Sequence, residues 1–101
     1  MKDSKDMNLN YLTNLMRPKL KSEQGLVAFA DSILRNKAML RILDEATPER
    51  LEELVNALIS YYNSQISSIK ADDYSDEYNS VIDRIYRDVF TVDERIAYDN
   101  R

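Results

Sequence analysis

The chain has 101 residues, with 14 lysines and arginines against 18 aspartates and glutamates, a net charge of −4. It contains no cysteine, no histidine, no tryptophan, one glycine and two prolines. That composition excludes a disulfide framework, the usual Cys/His zinc sites and the glycine-rich loops that cradle phosphates.

With 44% apolar and 32% charged residues, the chain has the balance of a folded domain rather than a disordered one. We expect one domain over 1–101, with residues 1–6 a frayed N-terminus. No apolar stretch approaches the roughly 20 residues of a membrane span, and no secretory h-region follows Met1–Asp6. The expectation is a cytoplasmic protein with no membrane contact. The charge is unevenly spread: residues 1–41 hold 8 basic residues against 4 acids, and residues 42–101 hold 6 against 14.

Taken in chain order, the apolar residues recur with a helical period. Leu9, Leu12, Leu15 and Met16 form a first stripe. Pro18 should end it by turning Arg17 away from helical geometry, leaving a basic connector over residues 17–21. Ser22 is the expected N-cap of a second helix bearing Leu26, Val27, Ala30, Ile33 and Leu34. That stripe loses phase at Asn36-Lys37 and resumes with Leu40 and Leu43, which predicts a kink or a new helix.

Thr47-Pro48-Glu49 is the strongest punctuation. Threonine caps, proline takes the first helical position and glutamate faces the positive end of the helix dipole. Leu51, Val55, Leu58, Tyr62, Ile66 and Ile69 then recur every 3.6 residues on average, which favours a helix packed in its own domain over a long coiled coil. Residues 72–75 should form the next turn and cap. Tyr78, Val81, Ile82, Ile85, Tyr86 and Val89 make a further stripe ending at Phe90. Thr91 stands three residues before Glu94, a capping-box spacing that should open a short last helix through Val92 and Ile96. No stretch alternates with a period of two. The predicted fold is all-α: a compact single-domain bundle of five or six helices, with antiparallel neighbours joined by short loops.

The missing histidine and cysteine remove the usual general base and nucleophile. We assign no catalytic, cofactor-binding or metal-binding residue and expect a non-enzyme with no cofactor. Asp72, Asp73, Asp76 and Glu77 form the densest acidic group, but they lack the glycine and the alternating oxygen ligands of a calcium loop. Capping of the following helix is the better account. Glu52 and Glu53 point about 100° apart on a helix and do not converge for acid–base work. Asp83/Arg87 and Arg84/Asp88 have the i,i+4 spacing of surface ion pairs.

Two surfaces are candidates for binding. In the acidic half, six of the seven tyrosines lie among the acids. Tyr61, Tyr74 and Tyr98 fall off the stripes or near helix ends, and tyrosine gives a large contact area with a polar handle. In the basic third, Arg17, Lys19, Lys21, Arg35 and Lys37, together with Arg41, could meet phosphate. The acidic balance and the scarcity of neighbouring aromatics weigh against nucleic acid.

Residues 34–58, LRNKAMLRILDEATPERLEELVNAL, resemble the N-terminal oligomerisation helices of H-NS-type nucleoid proteins, in which a short helix precedes a long Leu-Glu-Glu helix. The resemblance covers a quarter of the chain and needs a one-residue gap. The basic DNA-binding region expected downstream is missing, so the family is not adopted. What the resemblance implies is helical self-association.

The leading expectation is a protein-binding inhibitor or neutraliser of the immunity, antitoxin or phage anti-defence kind. It would cover a basic surface of its partner with Asp72, Asp73, Tyr74, Asp76 and Glu77, flanked by Tyr61 and Tyr98. The alternative is a self-associating regulatory module, a homodimer touching nucleic acid or a DNA-bound protein through Arg17, Lys19, Lys21, Arg35 and Lys37.

Overall fold

A computed structural model describes residues 7–20, 22–67, 69 and 76–99, and among them are six α-helices and no strand. Local chemistry decides where each begins. Asn8 accepts the Tyr11 N–H on its side-chain oxygen at 2.9 Å and opens α1, Leu9–Met16. Arg17 keeps right-handed helical angles, contrary to expectation, and Pro18 sits within a 3₁₀ turn over Arg17–Lys19. Proline has no N–H for the α-helical ladder, so the chain tightens by one turn before it leaves the helix.

The second helix, α2, is Leu26–Arg35, and its N-cap is Gly25 rather than Ser22. Ser22 Oγ accepts the Gln24 N–H at 3.2 Å, and the Leu26 N–H reaches the Glu23 carbonyl at 2.9 Å. This tight turn carries Gly25 into the left-handed region at φ 81°. Glycine alone adopts that conformation without a Cβ penalty. The buried face of α2 is Leu26, Phe29, Ala30 and Ile33, whereas Val27 is 56% exposed. Leu26, Ala30 and Ile33 face inward as expected, and of the two residues flanking that stripe Phe29 is buried in place of Val27.

At Asn36 the chain makes a new helix, not a kink. Asn36 ends α2 and caps α3, Lys37–Glu45, its side chain accepting the Met39 N–H at 3.0 Å. Thr47 then caps α4, Pro48–Tyr61, by accepting the Arg50 N–H at 3.2 Å, with Pro48 in the first turn. The expected continuous helix through Ile69 is interrupted. Tyr62–Ile66 forms a π turn closed by Ser67 N–H to the Tyr62 carbonyl at 2.8 Å. Ser60, Asn63, Ser64 and Ser67 are weak helix formers, so packing of Tyr62 and Ile66 sets the local winding.

The turn and cap expected at residues 72–75 lie outside the described residues. The fifth helix, α5, is Asp76–Val89 and buries Tyr78, Val81 and Ile85. In the last, α6 (Val92–Asp99), the capping box forms in full. Thr91 Oγ1 accepts the Glu94 N–H at 3.0 Å, and Glu94 accepts the Thr91 N–H at 2.9 Å. Val92 and Ile96 point outward, 58% and 56% exposed.

The inward stripes meet in one apolar cluster in which Leu12, Phe29, Ile33, Leu43, Leu54, Leu58 and Ile85 are fully buried. α1 packs on α2 and α4, α2 on α3, α3 on α6, and α4 on α5. Arg50 at the start of α4 reaches the Val89 carbonyl, and Gln65 just beyond its end meets Arg84. With Tyr61 at the end of α4 meeting Asp88, α4 and the turn after it contact the C-terminal half of α5. Among the described residues, no helix is long and apolar enough to cross a membrane.

Candidate protein-binding surface

Three of the expected partner-binding residues, Asp72, Asp73 and Tyr74, lie outside the described residues. Asp76 and Glu77 open α5 and are exposed. Helical geometry sets Asp76, Ser80 and Asp83 along one outward face, and Arg87 continues it in the last turn. Acids at the N-terminus and arginine at the C-terminus complement the helix dipole, so this polarity supports the helix as well as offering a charged edge.

Beside that edge, α5 and α2 border a cleft of about 500 Å³. Ala28, Asp31 and Ser32 line it from α2, and Tyr78 and Asn79 from α5. Asp31 is paired with Arg35 at 2.9 Å within α2.

The two flanking tyrosines are occupied within the chain. Tyr61 is half-buried and donates its hydroxyl to Asp88 at 3.1 Å; burial, and then the Asp88 bond, push its phenol above the ordinary range. Asp88 lies twelve residues from Asp76, about 18 Å along α5. Tyr61 is thus set near the far end of α5 from Asp76 and Glu77. Tyr98, on α6, packs partly against the core and donates to Glu45 of α3. The described part of the expected surface is therefore Asp76 and Glu77, with Asp83 added by the geometry of α5.

The surface ion pairs expected on α5 do not form. Arg84 donates instead to Gln65 at 2.8 Å and Asp88 accepts from Tyr61, while Asp83 and Arg87 make no ion pair among the described residues. Cross-helix partners win because each reaches a fixed group on the neighbouring element, whereas an exposed i,i+4 pair contributes only a few tenths of a kcal/mol.

The basic third is spread over three elements. Arg17 pairs with Glu23 at 3.1 Å, Lys19 donates to Asn56 at 2.7 Å, and Arg35 is held by Asp31. Lys37 and Arg41 are exposed on α3, one turn apart, and Lys21 lies outside the described residues. Three of these cations are thus engaged with groups of their own chain.

The most strongly held charge is one that sequence reasoning passed over. Arg50 donates to both oxygens of Glu94, at 3.0 and 2.9 Å, to Glu53 at 3.0 Å and to the Val89 carbonyl at 3.3 Å. The bond to Glu94 raises the Arg50 pKa above its ordinary value and lowers that of Glu94. Every partner is internal, so the cluster fastens α6 to α4 and the end of α5.

Among the described residues, no group of three or more acids could jointly hold a metal ion. Compared with protein-family models, curated proteins and solved structures, the chain matches none.

Proposed function

We propose that the chain is a non-enzymatic protein-binding inhibitor or neutraliser, of the immunity, antitoxin or phage anti-defence kind, that covers a basic functional surface of its target. The observation that supports this reading is the exposed acidic edge of α5. Asp76, Glu77 and Asp83 stand on a helix whose other face, Tyr78, Val81 and Ile85, is anchored in the core. A charge held on a fixed element steers a complementary partner and needs little ordering on contact. Asp72, Asp73 and Tyr74 precede this edge directly in sequence and extend the same acidic run.

The test is capture of partners from the native host with the wild-type chain and with an Asp72→Lys, Asp73→Lys, Asp76→Lys variant, in parallel. A partner held by the first should bind the second at least about tenfold more weakly, with helicity unchanged. Equal binding would remove the site. A salt-sensitive gel shift, lost on neutralising Lys19, Lys21 and Lys37, would point instead to the nucleic-acid alternative.

A further inference from the structure

The last helix, α6, differs from the others in what it turns toward the bundle. Each of α1 to α5 buries at least three side chains, whereas α6 buries none among the described residues. Its apolar Val92 and Ile96 face outward, more than half exposed. The side chains it turns inward are Glu94, Arg95 and Tyr98, all half-buried. They stand at i, i+1 and i+4, on one face of the helix. The usual amphipathic pattern, apolar inward and polar outward, is therefore reversed.

The inward face is held mainly by polar clasps. Glu94 accepts two bonds from Arg50 of α4, and Tyr98 donates to Glu45 of α3, its ring lying partly against the core. Arg95 sits over the Tyr86 ring, its guanidinium carbon 5.8 Å from the centroid, and its Nε donates to the Phe90 carbonyl at 3.4 Å. Tyr86 in turn packs against Phe90, with ring centroids 6.2 Å apart. When such a helix lifts, water can replace each polar bond, but it offers no such replacement to an apolar face that is pulled from a core. Elements with few buried apolar contacts accordingly open most readily. Phe90 is buried in the core and fixes the near side of the connection, so Thr91 is the residue about which α6 can turn. We infer that α6 is a strap: it opens from the bundle as one unit about Thr91 while α1 to α5 stay folded, and in opening it lifts Arg95 off the Tyr86 ring. The strap lies at the opposite end of α5 from Asp76 and Glu77 and does not depend on the reading proposed for them.

Native-state hydrogen exchange of the full chain, in a series of sub-denaturing urea concentrations, tests this with wild type, Arg50→Ala and Ile33→Val. In wild type the amides of residues 95–98 should share one opening. It should be at least about tenfold more frequent than that of α4, with a smaller urea dependence. Arg50→Ala should raise it at least about tenfold. Ile33→Val trims a fully buried side chain of α2, whose packing stays in place when the strap opens. It should speed exchange in α4 several-fold, roughly as core trimming does elsewhere, and leave residues 95–98 unchanged. Residues 95–98 that follow α4 in rate and in their response to Ile33→Val overturn the proposal. So does an opening that Arg50→Ala leaves as it was. A graded loss of protection toward Asp99, with Arg95 held at the level of α4, is fraying of a helix end and overturns it equally.

Discussion

Arg50 and Glu94 are joined by two parallel hydrogen bonds, Nε to Oε2 at 3.0 Å and Nη2 to Oε1 at 2.9 Å, across 44 residues of sequence. The same carboxylate accepts the Thr91 N–H. One side chain thus completes the N-terminal cap of α6 and ties that cap to α4. Removing the arginine leaves a partly buried carboxylate short of its main donor. Arg50→Ala should therefore destabilise the fold by about 2 kcal/mol, and Glu53→Ala, which loses an exposed pair, by no more than about 0.5 kcal/mol. Urea titration of the three chains checks the ranking.

The same contact gives an acid-sensitive contribution to stability. Hydrogen bonding from Arg50 holds the Glu94 carboxyl below its usual range. Its contribution is present above the unfolded carboxylate pKa and is lost as pH falls through the lower, folded one. Glu94→Gln should be less stable than wild type at pH 7, and its stability should fall less steeply in acid. Parallel melts from pH 7 to pH 2 that keep a constant gap between the chains would contradict this.

At the alkaline end the sign reverses. Burial raises the phenols of Tyr61 and Tyr62, with Asp88 adding to the first and Glu23 to the second. Their contribution is intact below the unfolded tyrosine pKa, near 10, and disappears as pH rises through the folded values. Absorbance titration should show Tyr61 and Tyr62 ionising late, and Tyr62→Phe should flatten the loss of stability above about pH 10. That variant also frees the Gln24 carbonyl, which accepts the Tyr62 hydroxyl, so it starts from a lower stability at neutral pH.

Gly25 is the position where glycine itself is required. Its φ is 81°, and no atom lies within 4 Å of where a Cβ would stand. Gly25→Ala therefore costs backbone strain alone, about 1 kcal/mol, with no added clash. Gly25→Asn should cost less than alanine, because asparagine tolerates the left-handed region better. Thermal melts of both variants give the order.

Capping chemistry and apolar period were legible because both act over three or four residues. Thr47-Pro48-Glu49 and Thr91-x-x-Glu94 place two helix starts correctly, and the stripe from Leu51 to Ile66 is buried throughout. Ser22 misled because a serine N-cap and a serine-led turn look alike until Gly25 is seen to bend the chain, and Val27 misled because it flanks the Leu26–Ala30–Ile33 stripe on one side as Phe29 does on the other. The ion pairs read at i,i+4 on α5 failed for a related reason. Arg84 and Asp88 found partners on the element packed against them, which spacing along one helix does not reveal. The candidate surface was legible as acidic density, whereas the bonding of Tyr61 to Asp88 and of Tyr98 to Glu45 spans 27 and 53 residues.

Asn36 ends one helix and begins the next with no residue between, its N–H bonded back to the Ile33 carbonyl at 3.2 Å and its side chain forward to Met39. Such a joint has no slack. An inserted residue would have to break one bond or the other, so α2 and α3 move as a single mechanical piece. Length variation among natural or engineered versions should collect elsewhere, in the longer connection before Gly25, where extra chain loosens a loop without uncoupling two helices.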